Sequence, residues 1–174
     1  MLSFLLNQSQ KNTVVAKTQY YINLANQQLN INLSNIPVLF NLKGRSSGMF
    51  VVMRRDICIR YNEIIFSRYF EDNLTNTVPH EVAHYVVYQL HGLKKVKPHG
   101  AEWKQVMQLF NVKAEVTSRY DTSDLPLHRQ KQHHYICGCM SHQLSTTRHN
   151  RVQKNAAIYK CRQCRQPLRW RQDS

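Results

Sequence analysis

Residues 78–92 constrain the fold of this chain most strongly, because apolar side chains recur there at every fourth position. This spacing places four residues on one stripe of an α-helix: Val78, Val82, Val86 and Leu90. Pro79 suits the first helical turn, and residues 73–77 offer several side chains that could cap the helix. Gly92 is a typical C-terminal stop. We therefore predict an amphipathic helix that buries this stripe in a core.

The same helix carries an H-E-x-x-H motif formed by His80, Glu81 and His84. Residues four apart lie above one another on a helix face, so both imidazoles can approach one point. Two histidines so placed can bind one tetrahedral Zn²⁺ at about 2.0–2.1 Å. Glu81 would lie beside the metal, where it can take a proton from the zinc-bound water. The motif predicts a zinc-dependent peptidase with Glu81 as the catalytic base.

A catalytic zinc needs a third protein ligand and one open position. His91 lies two helical turns beyond His84, about 10.5 Å away at 1.5 Å per residue, and cannot reach the same ion. His99 follows a basic loop and begins a second predicted helix, which can return it to the motif face. We predict His99 as the third ligand. Glu102, one turn later, is the alternative ligand or an acceptor that orients a histidine.

The rest of the chain predicts an α+β fold in two parts. Residues 10–30 have apolar residues at helical spacing. Short strand-like segments follow, at 38–42, 49–53 and 57–61 in the first part and at 135–139 and 157–161 in the second. The first three would form a small, largely antiparallel sheet. The polar segment 121–131 indicates a boundary between a domain of residues 1–127 and a module of residues 128–174.

Two close pairs of cysteines lie in this second module: Cys137 with Cys139, and Cys161 with Cys164. In a reducing compartment, such pairs are more often metal ligands than disulfides. Cys161 and Cys164 have the two-residue gap of half a zinc ribbon, whereas Cys137 and Cys139 are one residue too close. His142 does stand at the usual gap after Cys139. Cys₄ and Cys₃His sites for a structural zinc both remain open, with Cys₄ preferred.

The formal charge of +14 is concentrated in the same module. Residues 128–174 contain ten Lys or Arg against one acid, whereas residues 32–127 contain twelve against nine. This asymmetry indicates a polyanionic partner, preferably nucleic acid, with a role in solubility as the alternative. Tyr159 or Trp170 could stack on an unpaired base, although either could instead close a small core. The residues predicted to contact DNA are Arg148, Arg151, Lys154, Arg162, Arg165 and Arg169.

Several segments, in this order along the chain, resemble the SprT family of bacterial metalloprotease-like proteins: GRSSG at 44–48, IRYN at 59–62, TVPHEVAH at 77–84, PHGAEW at 98–103 and the cysteine pairs. The resemblance implies a small zincin-like domain followed by a C-terminal zinc ribbon. It also implies kinship with Spartan, the eukaryotic protease that degrades proteins crosslinked to DNA. By the same resemblance, His80, His84 and His99 bind zinc and Glu81 is catalytic.

These patterns together lead us to expect a metalloendopeptidase with one catalytic and one structural Zn²⁺. We expect it to act on DNA-associated proteins and to bind single-stranded DNA, or DNA without sequence preference. The alternatives are a nucleic-acid-binding zinc protein with weak or no peptidase activity, and a general peptidase whose basic tail is incidental. Tyr61, Tyr85 and Arg119 are the residues considered for stabilising the oxyanion.

We expect a cytoplasmic protein without a membrane partner. No run approaches the roughly 18 apolar residues that a membrane helix requires. The first residues lack the basic and apolar regions of a signal peptide.

Overall fold

The computed structural model describes residues 5–53, 56–92, 96–116, 120–127 and 131–171. The chain forms two compact units, Met1–Leu127 and His128–Ser174. Each unit combines helices with a small sheet, which confirms the α+β class. Within the described ranges, no helix has the length and apolarity needed to cross a bilayer.

The first unit contains five α-helices and three strands among its described residues: α1 (Gln8–Leu29), β1 (Val38–Leu39), β2 (Gly48–Met53), β3 (Asp56–Tyr61), α2 (Glu63–Arg68), α3 (Phe70–Asp72), α4 (Val78–His91) and α5 (Ala101–Leu109). Helix α1 begins with a capping box. The Asn7 side chain accepts from the Gln10 N–H, and the Gln10 side chain accepts from the Asn7 N–H. Two otherwise unpaired donors are thereby satisfied, which stabilises the start of the helix.

The sheet of the first unit has the strand order β1-β3-β2. Strands β2 and β3 pair antiparallel from Gly48↔Tyr61 to Met53↔Asp56. Strand β1 pairs parallel with β3 at Val38↔Ile59 and Leu39↔Arg60, so the sheet is largely antiparallel, as predicted, except at this short edge. The reason is that the chain crosses from β1 to the far edge, forms β2 and then returns through the centre as β3. Arg54 and Arg55, between the two strands predicted at 49–53 and 57–61, lie outside the described residues.

Helix α4 packs at the centre of the first unit, against α1, α5 and β2. Three members of its predicted stripe, Val78, Val82 and Val86, are fully buried. Leu90 is 45% exposed, so the prediction that it is buried is wrong. It lies in the last turn of α4, where the helix extends past the core.

A π-helical turn, Asn73–Thr77, joins α3 to α4. The predicted N-cap is therefore absent, because Thr77 itself has helical dihedral angles and makes no side-chain cap. The first amides of α4 are instead supplied with acceptors by the preceding turn. A π-turn carries an extra residue, and such turns are frequent near functional sites.

The second unit contains β4 (Gln132–Ile136), β5 (Ser141–Ser145), α6 (Thr146–Gln153) and β6 (Arg169–Trp170) among its described residues. Strand β4 is central and pairs antiparallel with both neighbours. The prediction of a strand at 157–161 is wrong, because Lys160 makes only an isolated bridge, to Pro167. Helix α6 was not predicted, because His149 is its one buried residue and the apolar pattern is too sparse to indicate a helix.

Candidate active site

Three imidazoles meet beside α4. The Nε2 atoms of His80 and His84 are 3.2 Å apart, and each lies 3.0 Å from Nε2 of His99. Three nitrogens bound to one tetrahedral Zn²⁺ at 2.0–2.1 Å would be about 3.3 Å apart. The spacing and the chemistry of the donors therefore fit a single metal ion, and Glu102 is not a member of this group.

The chain reaches the third histidine through two special backbone positions. Gly92 ends α4 with a φ of 74°, and His99 has a φ of 58°. This left-handed conformation is unfavourable for a residue with a Cβ and is tolerated where the surroundings enforce it. The next residue must be small, because a Cβ at Gly100 would lie 2.9 Å from the Lys97 carbonyl oxygen. The His-Gly pair thus allows the tight approach that brings His99 over α4.

Trp103 forms a floor beneath all three histidines. Its ring centroid lies 4.8 Å from that of His80, 5.7 Å from His84 and 4.7 Å from His99. The indole is 1% exposed, and its Nε1 donates to the His80 carbonyl oxygen at 3.3 Å. The sequence predicts a helix here but does not indicate that Trp103 contacts the histidines. Its contacts show that it also limits how the three imidazoles can move.

Glu81 is held by the outer strand of the sheet. Its Oε2 accepts from the Phe50 backbone N–H at 2.7 Å, and the residue is 6% exposed. A Cβ on Gly48 would lie 2.7 Å from Glu81 Cγ and 2.8 Å from Thr77 Cγ2, so only glycine fits there. Burial raises the pKa of Glu81 to about 8, against the opposing effect of the Phe50 N–H. A carboxyl group in this range can both accept and return a proton near neutral pH.

The histidines are suited to bind a metal in their neutral form. Burial, aided by the neighbouring imidazoles, lowers the pKa of His80 to about 4 and that of His84 to about 3. Burial also lowers the pKa of His99. A hydrogen bond between the His80 ring and the backbone of Glu115 acts in the opposite direction on the His80 pKa. Such a bond to the second ring nitrogen fixes the orientation of a ligating imidazole.

Two stacked tyrosines fasten the chain beyond α5 to the helices that lead into α4. The rings of Tyr69 and Tyr120 lie 4.5 Å apart at 10°. The Tyr120 hydroxyl donates to the Asp72 carboxylate, and the Tyr69 hydroxyl donates to the Asp121 carbonyl oxygen at 2.6 Å. Burial and Asp72 both raise the pKa of Tyr120, which keeps its hydroxyl protonated. Sequence reasoning missed this cluster, because its members are about 50 residues apart.

The two tyrosines considered for the oxyanion, Tyr61 and Tyr85, are not placed to act there. Tyr61 is fully buried against Thr18, with 3.2 Å between their hydroxyl oxygens. Tyr85 is equally buried and donates to the Ser34 carbonyl oxygen at 2.9 Å. Both hydroxyls are therefore used within the core. Arg119 lies outside the described residues.

Known proteins resemble this chain over most of its length. The model of the SprT-like family matches residues 18–131, which include all three histidines of the cluster. The chain belongs to the SprT-like family. Among its relatives, Protein SprT of Vibrio parahaemolyticus serotype O3:K6 (strain RIMD 2210633) is 36% identical over 148 residues, 84% of this chain and 86% of that protein. Protein SprT of Pasteurella multocida (strain Pm70) is 35% identical over 156 residues, 89% and 90% of the two chains. No solved structure matches significantly.

This SprT-like chain has a second group of metal-binding type in its C-terminal unit. The sulfur atoms of Cys137, Cys139, Cys161 and Cys164 all lie within 4.8 Å of one another. Two of these separations are 3.5 and 3.7 Å, close to the roughly 3.8 Å expected around a tetrahedral zinc with bonds of about 2.3 Å. His142 is adjacent, with Nε2 3.3 Å from the Cys137 sulfur. The four thiols form a complete donor set without it.

Backbone amides support two of these thiols, Cys137 and Cys161. The pKa of Cys137 is lowered to about 5, mainly by a hydrogen bond from the backbone amide of Cys139. The Gln163 N–H donates to the Cys161 sulfur at 3.4 Å. Amides directed at sulfur favour the thiolate, which is the form that binds metals.

The six residues predicted to contact DNA are all exposed: Arg148, Arg151, Lys154, Arg162, Arg165 and Arg169. The described part of this unit, residues 131–171, contains no acidic residue to neutralise them. Trp170 is 40% exposed and packs edge-on against His149, 4.8 Å between centroids. Tyr159 is covered on one side by Arg148, whose guanidinium carbon lies 5.7 Å from the ring centre. The unit therefore presents an uncompensated basic surface with an accessible indole.

Proposed function

We propose that the chain is a zinc-dependent metalloendopeptidase and that its first unit is a zincin-like domain. The observation that carries this proposal is the triangle of Nε2 atoms from His80, His84 and His99, with Glu81 on the same helix. Three neutral imidazoles are the donor set of a catalytic zinc that keeps one position open. Membership of the SprT-like family, which is associated with metallopeptidase-like proteins, supports the same reaction class.

When bound, zinc would polarise the scissile carbonyl and lower the pKa of the attacking water. Glu81 accepts the proton that the water loses as its oxygen bonds to the carbonyl carbon. It then donates this proton to the leaving nitrogen as the C–N bond breaks. The Phe50 N–H and the Cβ-free position at Gly48 hold the carboxylate in one orientation during both transfers. Trp103 and the Glu115 backbone keep the imidazoles aligned.

The C-terminal unit extends the proposal to DNA-associated substrates. Its four cysteines would hold a structural zinc in a zinc ribbon, with His142 as the alternative ligand. The six exposed cations would bind phosphates with little regard to sequence, and Trp170 could stack on an unpaired base. A DNA-bound unit would bring DNA-associated proteins to the peptidase site. The same basic surface favours the second candidate function, a nucleic-acid-binding zinc protein with weak or no peptidase activity.

The test is cleavage of a DNA-binding protein by the zinc-loaded chain, with and without single-stranded DNA. Glu81→Gln removes the base while preserving size, and Glu71→Gln on the exposed surface of α3 is the matched control. We expect cleavage by the wild type and the control, stimulation by DNA, and no cleavage by Glu81→Gln. Equal cleavage by wild type and Glu81→Gln, with zinc bound in both, would contradict the peptidase proposal. DNA binding that survives such a result would favour the second candidate.

A further inference from the structure

The candidate active site lies between two cavities of different chemical character. Gly48, His80 and Glu81 line both of them. One cavity, of about 350 Å³, continues past His84 and His99 and has mostly apolar walls: Met49, Phe50, Val87, Tyr88, Val96 and Pro98. The other, of about 470 Å³, is lined by polar and charged side chains that include Arg45, Asp72, Asn76 and Tyr120.

The apolar cavity is a built feature with supported walls. The Phe50 ring is fixed between Tyr85 and Tyr88, at centroid distances of 5.8 and 5.6 Å. Val87 is buried on α4 and presents its remaining surface to the cavity. Met49 stands at the edge with 43% of its surface exposed. Beyond the histidines and Glu81, Lys97 is the one charged residue among the described residues that line it.

We propose that this apolar cavity is the specificity subsite of the peptidase, and that it takes a Leu, Met or Phe side chain from the residue on one side of the scissile bond. The inference rests on the function proposed above. His80 and Glu81 line both cavities. A substrate peptide bond that lies against these two residues therefore has one flanking side chain at the apolar cavity and the other at the polar cavity. The polar cavity then receives the residue on the other side, without an apolar preference.

The expected selectivity follows from apolar burial. A Leu, Met or Phe side chain that enters the cavity leaves water, whereas a Gln side chain would lose hydration without a matching partner on the apolar walls. An apolar pocket typically distinguishes an apolar from a polar substrate side chain by about tenfold to a hundredfold in kcat/KM. The preference should appear at one flank of the cleaved bond only.

Two methionines on β2 provide a matched pair of variants. Met49 lines the cavity, whereas Met53 is 59% exposed on the same strand and does not. Replacement by Gln keeps the length of the side chain and makes it polar, and neither residue belongs to the buried core. We expect Met49→Gln to lower the ratio of kcat/KM for a Leu substrate to that for a Gln substrate several-fold. Met53→Gln should leave this ratio at the wild-type value.

The first measurement is the cleavage profile of the zinc-loaded full chain on a mixture of unstructured peptides, read by mass spectrometry of the new termini. Enrichment of Leu, Met and Phe on one side of the cleaved bonds, weakened by Met49→Gln, is the expected result. Cleavage that depends on Glu81 but shows no apolar enrichment on either side would overturn the subsite while leaving the peptidase proposal intact.

A second measurement tests the cavity without catalysis. Leucine hydroxamate and glycine hydroxamate share the metal-binding group and differ only in the side chain. Leucine hydroxamate should bind the zinc-loaded Glu81→Gln chain at least tenfold more tightly than glycine hydroxamate, as measured by isothermal titration calorimetry. The additional change Met49→Gln should reduce this difference. Equal affinities for the two compounds would reject the subsite whatever the activity of the enzyme.

Discussion

The backbone N–H of Phe50 donates to the Glu81 carboxylate at 2.7 Å, and so joins the outer strand of the sheet to the helix that carries the histidines. The strand leaves room for this side chain because Gly48, two residues earlier, has no Cβ. A general base is effective when it lies within hydrogen-bond reach of the proton that it takes, so the strand supplies orientation that the helix alone does not.

Gly48→Ala should therefore impair catalysis more than metal binding. The added Cβ would displace Glu81, which a Cβ at this position would approach to 2.7 Å. A misplacement of about 1 Å can cost on the order of a hundredfold in rate. We expect a loss of this order in kcat, with bound zinc measured at the wild-type level. Met53→Ala on the same strand is the control, and wild-type kcat in Gly48→Ala would show that the strand does not position the base.

Trp103→Phe should weaken the metal site while preserving the apolar packing. Phenylalanine loses the Nε1–H that donates to the His80 carbonyl and covers less of the three imidazoles. Loss of a group that orients metal ligands typically costs roughly 10- to 100-fold in metal affinity. Competition with a chromophoric zinc chelator would measure the change, with cobalt spectra to report the ligand geometry. Unchanged affinity would limit Trp103 to a packing role.

Tyr120→Phe should loosen the chain beyond α5 without removing the aromatic stack on Tyr69. The variant loses the hydrogen bond to Asp72, worth about 1 kcal/mol in the free energy of unfolding. We also expect a smaller decrease in zinc affinity than for Trp103→Phe, because the segment carries the Glu115 backbone that bonds His80. Denaturant unfolding and chelator competition measure the two effects. Tyr20→Phe, on the exposed face of α1, should change neither.

The parts of the site that depend on local spacing could be predicted from the sequence. His80 and His84 are one helical turn apart, so the helix pattern alone places them together. His99 could be predicted because a loop between two helices returns the chain to the same face. The positions of Phe50 and Gly48 could not, since 31 residues separate Phe50 from Glu81 and no periodicity links a strand to a distant helix.

The errors in the fold have similar physical causes. Leu90 continues the four-residue spacing, but periodicity cannot show where the core ends along a helix. The parallel pairing of β1 depends on which edge of the sheet the chain crosses to, and the strand sequence does not encode that choice. In the second unit, the buried residue of α6 is His149 rather than a set of aliphatic residues. The sequence of α6 therefore lacks the apolar periodicity that indicates a helix.

Metal analysis should find two zinc ions per chain, one for each donor group. His80→Ala combined with His84→Ala should remove one ion and leave the other, because a single imidazole cannot hold the catalytic metal. Cys161→Ser combined with Cys164→Ser should remove the ion of the C-terminal unit and unfold that unit, since small zinc modules depend on the metal for folding. Mass spectrometry under native conditions gives the counts. Loss of both ions in the histidine variant, with the fold retained, would contradict independent sites.

The affinity for single-stranded DNA should fall steeply with salt, and the basic residues of the C-terminal unit should set the slope. Each Lys or Arg that neutralises a phosphate contributes roughly 0.7 to the slope of log affinity against log salt for single strands. Arg148→Ala with Arg151→Ala should therefore reduce the slope by about 1.4, while cleavage of a short peptide continues at the wild-type rate. Lys104→Ala with Lys113→Ala, in the first unit, is the charge-matched control. A slope that responds equally to both pairs would mean that the attraction reflects net charge alone, and a flat slope in the wild type would reject the DNA-directed part of the proposed function.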